Sequence, residues 1–144
     1  MADEKITNSI HRAELKGRDL IEVDLASSPP RLKVIGCADL LALVRAIQTQ
    51  HGVQPGQWPL PKGTSHSELL VKELILRVQG KWKFPYEHLE LCHCRRVETE
   101  VVDQAIIAGA HRPEEVSRQT SASTACGTCR PDVEKIIQFR LGSS

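Results

Sequence analysis

Cys92-His93-Cys94 and Cys126-Gly127-Thr128-Cys129 are the two stretches that decide how the C-terminal part of this chain folds. Each stretch contains two closely spaced cysteines, and the segment between the stretches has the apolar periodicity of helices. Two such pairs can bring four thiolates to one point, where they can ligate a zinc ion or an iron–sulfur cluster. Gly127 permits the positive φ or the close backbone approach that a tight loop around a metal requires.

Three kinds of site compete for these cysteines. A pair of disulfides is disfavoured because the N-terminus carries no export signal, and thiols stay reduced in the cytosol. Zinc knuckles usually keep two to four residues between ligands, so the single residue between Cys92 and Cys94 fits a structural zinc site poorly. The spacing favours an iron–sulfur cluster over zinc, although it differs from the plant-type and bacterial ferredoxin patterns.

Residues 91–139 contain three motifs: Cys92-His93-Cys94-Arg95, Asp103-Gln104-Ala105-Ile106 and Ala125-Cys126-Gly127-Thr128-Cys129-Arg130-Pro131-Asp132. With these motifs the segment resembles the BFD-type [2Fe–2S] domain, which is named for bacterioferritin-associated ferredoxin. That family also occurs as a module in assimilatory nitrite and nitrate reductases and in nitrogen-fixation iron–sulfur scaffold proteins. The resemblance implies a small all-helical fold, a helix–turn–helix with a further helix, and one [2Fe–2S] cluster. It also implies the four ligands Cys92, Cys94, Cys126 and Cys129.

The N-terminal part matches no family that we can name, and its pattern mixes strands and helices. Period-2 alternation predicts strands, and apolar residues recurring every three or four positions predict helices. The prolines and glycines of Val53–Gly63 predict a loop. The predicted strands are Ser9–Leu15, Asp19–Leu25 and Leu32–Gly36. The first predicted helix is Ala38–Gln50, with Gly52 as its stop. The second runs from Ser65 or Ser67 to Val78 and has an apolar stripe formed by Leu69, Leu70, Leu74, Ile75 and Val78.

Three helices are predicted after the first cysteine pair: Val97–Ala110, a short helix beginning at Pro113, and Asp132–Leu141 with Pro131 at its first position. The sequence therefore predicts an α+β chain. Residues 1–85 would form a small α/β module of unknown role, and residues 86–144 an all-helical, helix–turn–helix-like [2Fe–2S] domain.

Charge and composition narrow the classes of partner. The 19 basic and 18 acidic residues leave a formal net charge of +1, without a basic stripe or an acidic tail. Nucleic acid and membrane surfaces are therefore disfavoured as partners. No apolar run approaches the ~20 residues that span a bilayer, and the polar N-terminus lacks the pattern of a secretory signal. We therefore expect a cytoplasmic protein.

Several other residues attract attention and have simpler readings. Cys37 precedes a predicted helix and is interpreted as a small buried hydrophobic residue after a strand. His93 and His111 lie near the cysteines in sequence, and with four cysteines present His93 is expected to face solvent. The histidines His51, His66 and His88 are interpreted as surface residues. The arginines Arg95, Arg96 and Arg130 would either offset the charge of the cluster or be ordinary solvated charges.

The function predicted from the sequence is one-electron transfer through a [2Fe–2S] cluster. The chain would be a ferredoxin-like carrier or a redox module for a partner protein, either a reductase or an electron acceptor. No arrangement of residues for substrate turnover stands out, so the chain is not expected to be an enzyme. An iron–sulfur sensor or assembly factor, and a zinc-stabilised interaction domain, are the alternatives. The oligomeric state is not predicted.

Overall fold

The computed structural model describes residues 10–85, 90–92, 97–120 and 130–142, and for residues 90–92 it describes the backbone alone. The chain divides into two compact units. The first contains three strands, one α-helix and the body of a second α-helix, and the second contains two short strands and three α-helices. Strands and helices are thus both present, in agreement with the predicted α+β class.

The first unit contains an antiparallel sheet in which β1 (Ile10–Leu15), β2 (Asp19–Asp24) and β3 (Arg31–Ile35) follow one another in order. All three predicted strands are confirmed to within one residue at each end described. Gly17 has a φ of 77° in the turn between β1 and β2, a conformation that a residue without Cβ adopts freely.

Strand β2 is the central strand, and every second side chain on it is buried. Ile21 and Val23 are fully buried, and Asp19 shares their face with only 5% of its surface exposed. Because side chains two residues apart lie on the same face of a strand, an acidic group is placed on the apolar side of this sheet.

Two α-helices follow the sheet. Helix α1 (Ala38–His51) buries Leu40 and Val44, and it ends where the Gly52 N–H donates to the Gln48 carbonyl at 2.9 Å. Gly52 has a φ of 86°, which confirms it as the helix stop. A 3₁₀-helix at Pro55–Gln57 interrupts the segment predicted as a loop.

Helix α2 (His66–Val78) has a broader buried face than its apolar periodicity predicts. Of the predicted apolar stripe, Leu69, Leu70, Leu74 and Ile75 are buried and Val78 is half-buried. Polar side chains share the buried face with apolar ones, so burial here does not follow hydrophobicity alone. The buried residues are Ser67, Leu69, Leu70, Val71, Glu73, Leu74 and Ile75.

The second unit begins with a short antiparallel pair, β4 (Glu90–Cys92) and β5 (Val97–Glu98). The prediction of an all-helical C-terminal part is wrong here, as is the prediction that the next helix begins at Val97. Val97 is instead paired with Cys92, a position that suits its β-branched side chain. Two residues are too few to show a period in the sequence, so this strand could not be separated from the helix that follows.

Three helices complete the second unit: α3 (Thr99–Ala108), α4 (Pro113–Thr120) and α5 (Arg130–Leu141). The short helix from Pro113 is confirmed, and the last helix begins at Arg130, two residues earlier than predicted. Their apolar faces form one core with the start of β5. The buried members of this core are Val97, Val102, Ile106, Ala110, Val116, Val133, Ile136 and Ile137.

Partly buried side chains extend this core at its edges. Phe84, Ala105 and Leu141 pack against it, and the rings of Phe84 and Phe139 meet edge to face at a centroid distance of 5.9 Å. Among the helices of the described residues, none is both long enough and apolar enough to cross a bilayer.

Candidate functional site

The four predicted ligands fall largely outside the part of the chain that the structure describes. Cys92 is the last residue of β4, where the backbone alone is described, and Cys94, Cys126 and Cys129 lie outside the described residues. The ligand assignment therefore stays a prediction, and the described elements on either side of these cysteines supply the structural argument.

Those elements converge on one core. Strand β4, which carries Cys92, packs against helix α3, and α3 in turn packs against helix α5. Helix α5 starts at Arg130, the residue directly after Cys129. Val102 and Ile106 of α3 and Val133 and Ile136 of α5 are all buried in this core. The strand end with the first cysteine pair and the helix start after the second pair are thereby tied to the same three-helix core.

The start of helix α5 has the electrostatic character that a tetrathiolate group needs. The first backbone N–H groups of a helix have no partner within the helix, and this end carries a partial positive charge. Four thiolates around a [2Fe–2S] core leave a net charge of about −2 by formal counting. The donor set, four thiolates with a helix beginning directly after one of them, fits such a cluster.

Arg130, the first residue of α5, is engaged with two carboxylates. Its Nη2 atom lies 2.7 Å from Glu114 Oε1 on α4, and its Nε atom lies 3.1 Å from Glu134 Oε1 on its own helix. The hydrogen bond with Glu134 makes the largest contribution to raising the pKa of the Arg130 guanidinium above its ordinary value, and the hydrogen bond with Glu114 raises it further. Because its charge is shared with two acids and its side chain is 51% exposed, Arg130 offsets little of the negative charge of four thiolates. Arg95 and Arg96 lie outside the described residues.

A buried ion pair links the two helices that lead away from the cysteine pairs. Arg140 on α5 donates from Nε and Nη2 to the two carboxylate oxygens of Asp103 on α3, at 2.7 and 2.6 Å. The Arg140 side chain is only 4% exposed. This pair could not be predicted from the sequence, because charged residues normally lie at the surface and nothing local marks Arg140 as buried.

Two histidines, His93 and His111, lie near the cysteines in sequence. His93 lies outside the described residues. His111 lies between α3 and α4, and its Nε2 atom is buried without a hydrogen-bond partner among the described residues. His111 is therefore not an ordinary solvated surface residue.

In the first unit, Cys37 departs from its predicted role as a small buried hydrophobic residue. It is half-buried, and its thiol donates to Asp19 Oδ2 at 3.4 Å. Of the histidines interpreted as surface residues, His51 is exposed, His66 is partly exposed, and His88 lies outside the described residues. The signal that could have revealed this polar site is Asp19, an acidic residue in register with the buried Ile21 and Val23.

Comparison with known proteins places both pairs of cysteines within one matched region of the chain. Residues 91–138 match the family model of the BFD-like [2Fe-2S] binding domain. A 54-residue stretch is 41% identical to "Nitrite reductase [NAD(P)H]" from Bacillus subtilis (strain 168), covering 37% of this chain and 7% of that protein. No solved structure matches. Residues 91–138 are thus a BFD-like [2Fe–2S]-binding domain, and the cofactor predicted from the cysteines is confirmed.

Proposed function

We propose that this chain carries single electrons between a reductase and an acceptor protein through a [2Fe–2S] cluster. The observation that carries the proposal is the match of residues 91–138 to the BFD-like [2Fe-2S] binding domain. When bound, such a cluster accepts and releases one electron, and the protein tunes its potential through hydrogen bonds, charge and burial.

The ligands in this proposal are Cys92, Cys94, Cys126 and Cys129. They are the four cysteines within the matched region, and Cys37 lies outside it. The strand and helix ends next to them belong to one buried core, which supports a single site fed from both pairs. The partially positive start of helix α5 favours the reduced, more negative state of the site and so raises its reduction potential.

We further propose that the chain works as a carrier or redox module, without substrate turnover of its own. The similar stretch makes up 7% of the nitrite reductase, so the activity named for that enzyme does not pass to this chain with the match. A redox partner protein follows from the same reasoning, because a carrier needs a donor and an acceptor. A reduced cytoplasm, where clustered thiols bind metal, is the compartment we propose.

We also retain the predicted division into residues 1–85 and 86–144 as part of the proposal. The separation of the described residues into two compact units, with a boundary near Trp82 and Lys83, supports it. In this scheme the second domain holds the cluster, and the first is a small α/β module whose role is not assigned.

Cysteine variants test the ligand assignment, with the fifth cysteine as the matched control. Cys126→Ser and Cys129→Ser should bleach or destabilise the visible absorption of the cluster, because serine is a poor substitute for a thiolate on iron. Cys37→Ser should leave the absorption unchanged. An unaltered spectrum in the Cys126 and Cys129 variants, or bleaching in the Cys37 variant, would show that the ligands are misassigned.

Reversible electrochemistry of the purified full-length chain separates the proposed carrier from a sensor or assembly factor. A carrier should give a one-electron couple that survives repeated reduction and oxidation, with its visible spectrum restored after each cycle. Loss of iron on the first exposure to oxygen or a chelator would instead favour a cluster that comes and goes.

A further inference from the structure

Three charged side chains form an ion-pair network at the start of helix α5. Arg130 is the first residue of this helix and directly follows Cys129 in the chain. Its guanidinium donates to the carboxylate of Glu114 on helix α4 and to that of Glu134 on its own helix. We propose that this network sets the reduction potential of the [2Fe–2S] site, which the two carboxylates lower and the guanidinium raises. This role rests on the proposed function, in which Cys129 is a ligand.

The ion pairs hold the guanidinium between two packed helices. The Arg130 Nη2 atom lies 2.7 Å from Glu114 Oε1, and the Arg130 Nε atom lies 3.1 Å from Glu134 Oε1. Helices α4 and α5 pack against each other, and Val116 of α4 and Val133 of α5 are buried in the core that they share. Because both carboxylates are carried by helices anchored in this core, the three charges have defined positions relative to the start of α5.

The network spans the segment that carries the second cysteine pair. Glu114 lies in the first turn of α4, and Arg130 lies 16 residues later in the chain. The residues between these two partners include Cys126 and Cys129. Arg130 is therefore one peptide bond from a proposed ligand, and the charge around a cluster is one of the factors that set its potential.

The net charge of the network opposes reduction of the site. One guanidinium and two carboxylates sum to a charge of −1. Reduction adds an electron to a site that is already negative, so a neighbouring negative charge disfavours the reduced state and a positive charge favours it. All three side chains are about half exposed, so water and salt weaken these effects without abolishing them. The network therefore adjusts the potential by a modest amount, in a direction that each of its charges determines.

Reduction potentials of the purified full-length chain, measured by electrochemical titration of its visible absorption, test each charge in turn. Arg130→Gln changes the network from −1 to −2 and should lower the ratio of reduced to oxidised cluster at a fixed potential by about threefold. Glu114→Gln changes it to 0 and should raise that ratio by about threefold. A threefold change equals about 28 mV, since a tenfold change is about 59 mV for one electron. The double variant returns the network to −1 and should restore a potential close to that of the wild-type chain.

Lys135→Gln is the matched control for the loss of one positive charge. Lys135 is exposed on the same helix and lies farther from Cys129, by about 7.5 Å of helix rise beyond Arg130. It should lower the potential clearly less than Arg130→Gln does. Raising the salt concentration from about 0.1 M to about 1 M should shrink the shifts in Arg130→Gln and Glu114→Gln, because salt screens a charge and does not repair a structural defect.

Glu134→Gln gives a second removal of negative charge that leaves the start of helix α4 intact, and it should raise the potential as Glu114→Gln does. Shifts of the same sign in Arg130→Gln and in both glutamate variants, or a shift in Arg130→Gln no larger than that in Lys135→Gln, would overturn the proposed role. Iron and acid-labile sulfide are measured in every sample. Their absence from the wild-type chain would contradict the proposed function and this role together, whereas unchanged potentials in loaded variants would overturn this role alone.

Discussion

Arg140 and Asp103 form a two-pronged ion pair inside the second unit, with both donor–acceptor distances at or below 2.7 Å. Planar guanidinium and carboxylate groups meet in this way when both have been removed from water and oriented by their neighbours. The pair joins helix α5, which starts directly after Cys129, to helix α3, which packs against the strand that ends in Cys92. It therefore belongs to the scaffold that relates the two cysteine pairs.

Removing the cation should destabilise this scaffold strongly. Arg140→Met leaves the Asp103 carboxylate half-desolvated without its partner, and we expect a loss of about 3 kcal/mol in the free energy of unfolding. Chemical denaturation, followed by helical circular dichroism and by loss of the visible cluster absorption, measures this change. The cluster should be released at a lower denaturant concentration than in the wild-type chain.

Two controls separate burial from charge. Arg112 pairs with Glu115, and its side chain is 71% exposed. Arg112→Met should therefore lower the free energy of unfolding by less than about 1 kcal/mol. The double variant Arg140→Met with Asp103→Leu replaces both ends by apolar groups and should recover most of the lost stability. Equal losses for Arg140→Met and Arg112→Met would contradict the account.

The Glu114 side chain should titrate below the ordinary range of a glutamate. A backbone hydrogen bond at the start of helix α4 lowers the pKa of this carboxyl, and the hydrogen bond from Arg130 lowers it further. Since its pKa is lower in the folded than in the unfolded state, Glu114 stabilises the fold above its unfolded-state pKa. That contribution disappears as the pH falls through its folded-state pKa.

Carboxyl ¹³C chemical shifts followed against pH measure this titration. Arg130→Gln should raise the pKa of Glu114 part of the way to its ordinary value, because the backbone hydrogen bond remains. Arg118→Gln, an exposed arginine on the same helix, is the control and should leave the pKa of Glu114 where it is. An unchanged Glu114 titration in Arg130→Gln would show that the ion pair is not formed in solution.

Gly36→Ala should destabilise the first unit. Gly36 has a φ of 154°, which side chains rarely adopt, and a Cβ there would collide with the Asp19 carboxylate. We expect a cost of about 2 kcal/mol from the strain and the collision together. Denaturation of the full-length chain, followed by circular dichroism, provides the measurement.

A double-mutant cycle isolates the collision from the strain. In an Asp19→Ala background the carboxylate is gone, so Gly36→Ala should cost less there than in the wild-type chain. The same cost in both backgrounds would mean that the Asp19 carboxylate does not occupy the space beside Gly36.

Local periodicity was sufficient to predict the three strands of the first unit and the five α-helices, whereas the buried polar groups depend on partners distant in sequence. The alternation along Asp19–Leu25 predicts a strand, and β2 is found there. The burial of Asp19 depends on Cys37, 18 residues away, and that of Arg140 on Asp103, 37 residues away. No local pattern encodes such partners, so the burial of these two polar groups could not be predicted from the sequence.

In the C-terminal part, the cofactor could be predicted from the sequence, whereas part of the secondary structure could not. The cysteine spacing left zinc and an iron–sulfur cluster open, and the resemblance to the BFD-type family predicted the [2Fe–2S] domain in residues 91–139; the family match covers residues 91–138. The short strand pair β4–β5 was not predicted, because three and two residues are too few to carry a period. A few residues at fixed spacing are thus enough to indicate the cofactor, but they do not determine the path of the backbone around them.

Metal and sulfide analysis of the purified full-length chain, combined with electron paramagnetic resonance after reduction, tests the central claim most directly. We predict a brown protein with about two iron atoms and about two acid-labile sulfides per chain, and the signal of a one-electron-reduced [2Fe–2S] centre. A colourless protein without acid-labile sulfide, whose four C-terminal cysteines hold a zinc ion, would contradict it.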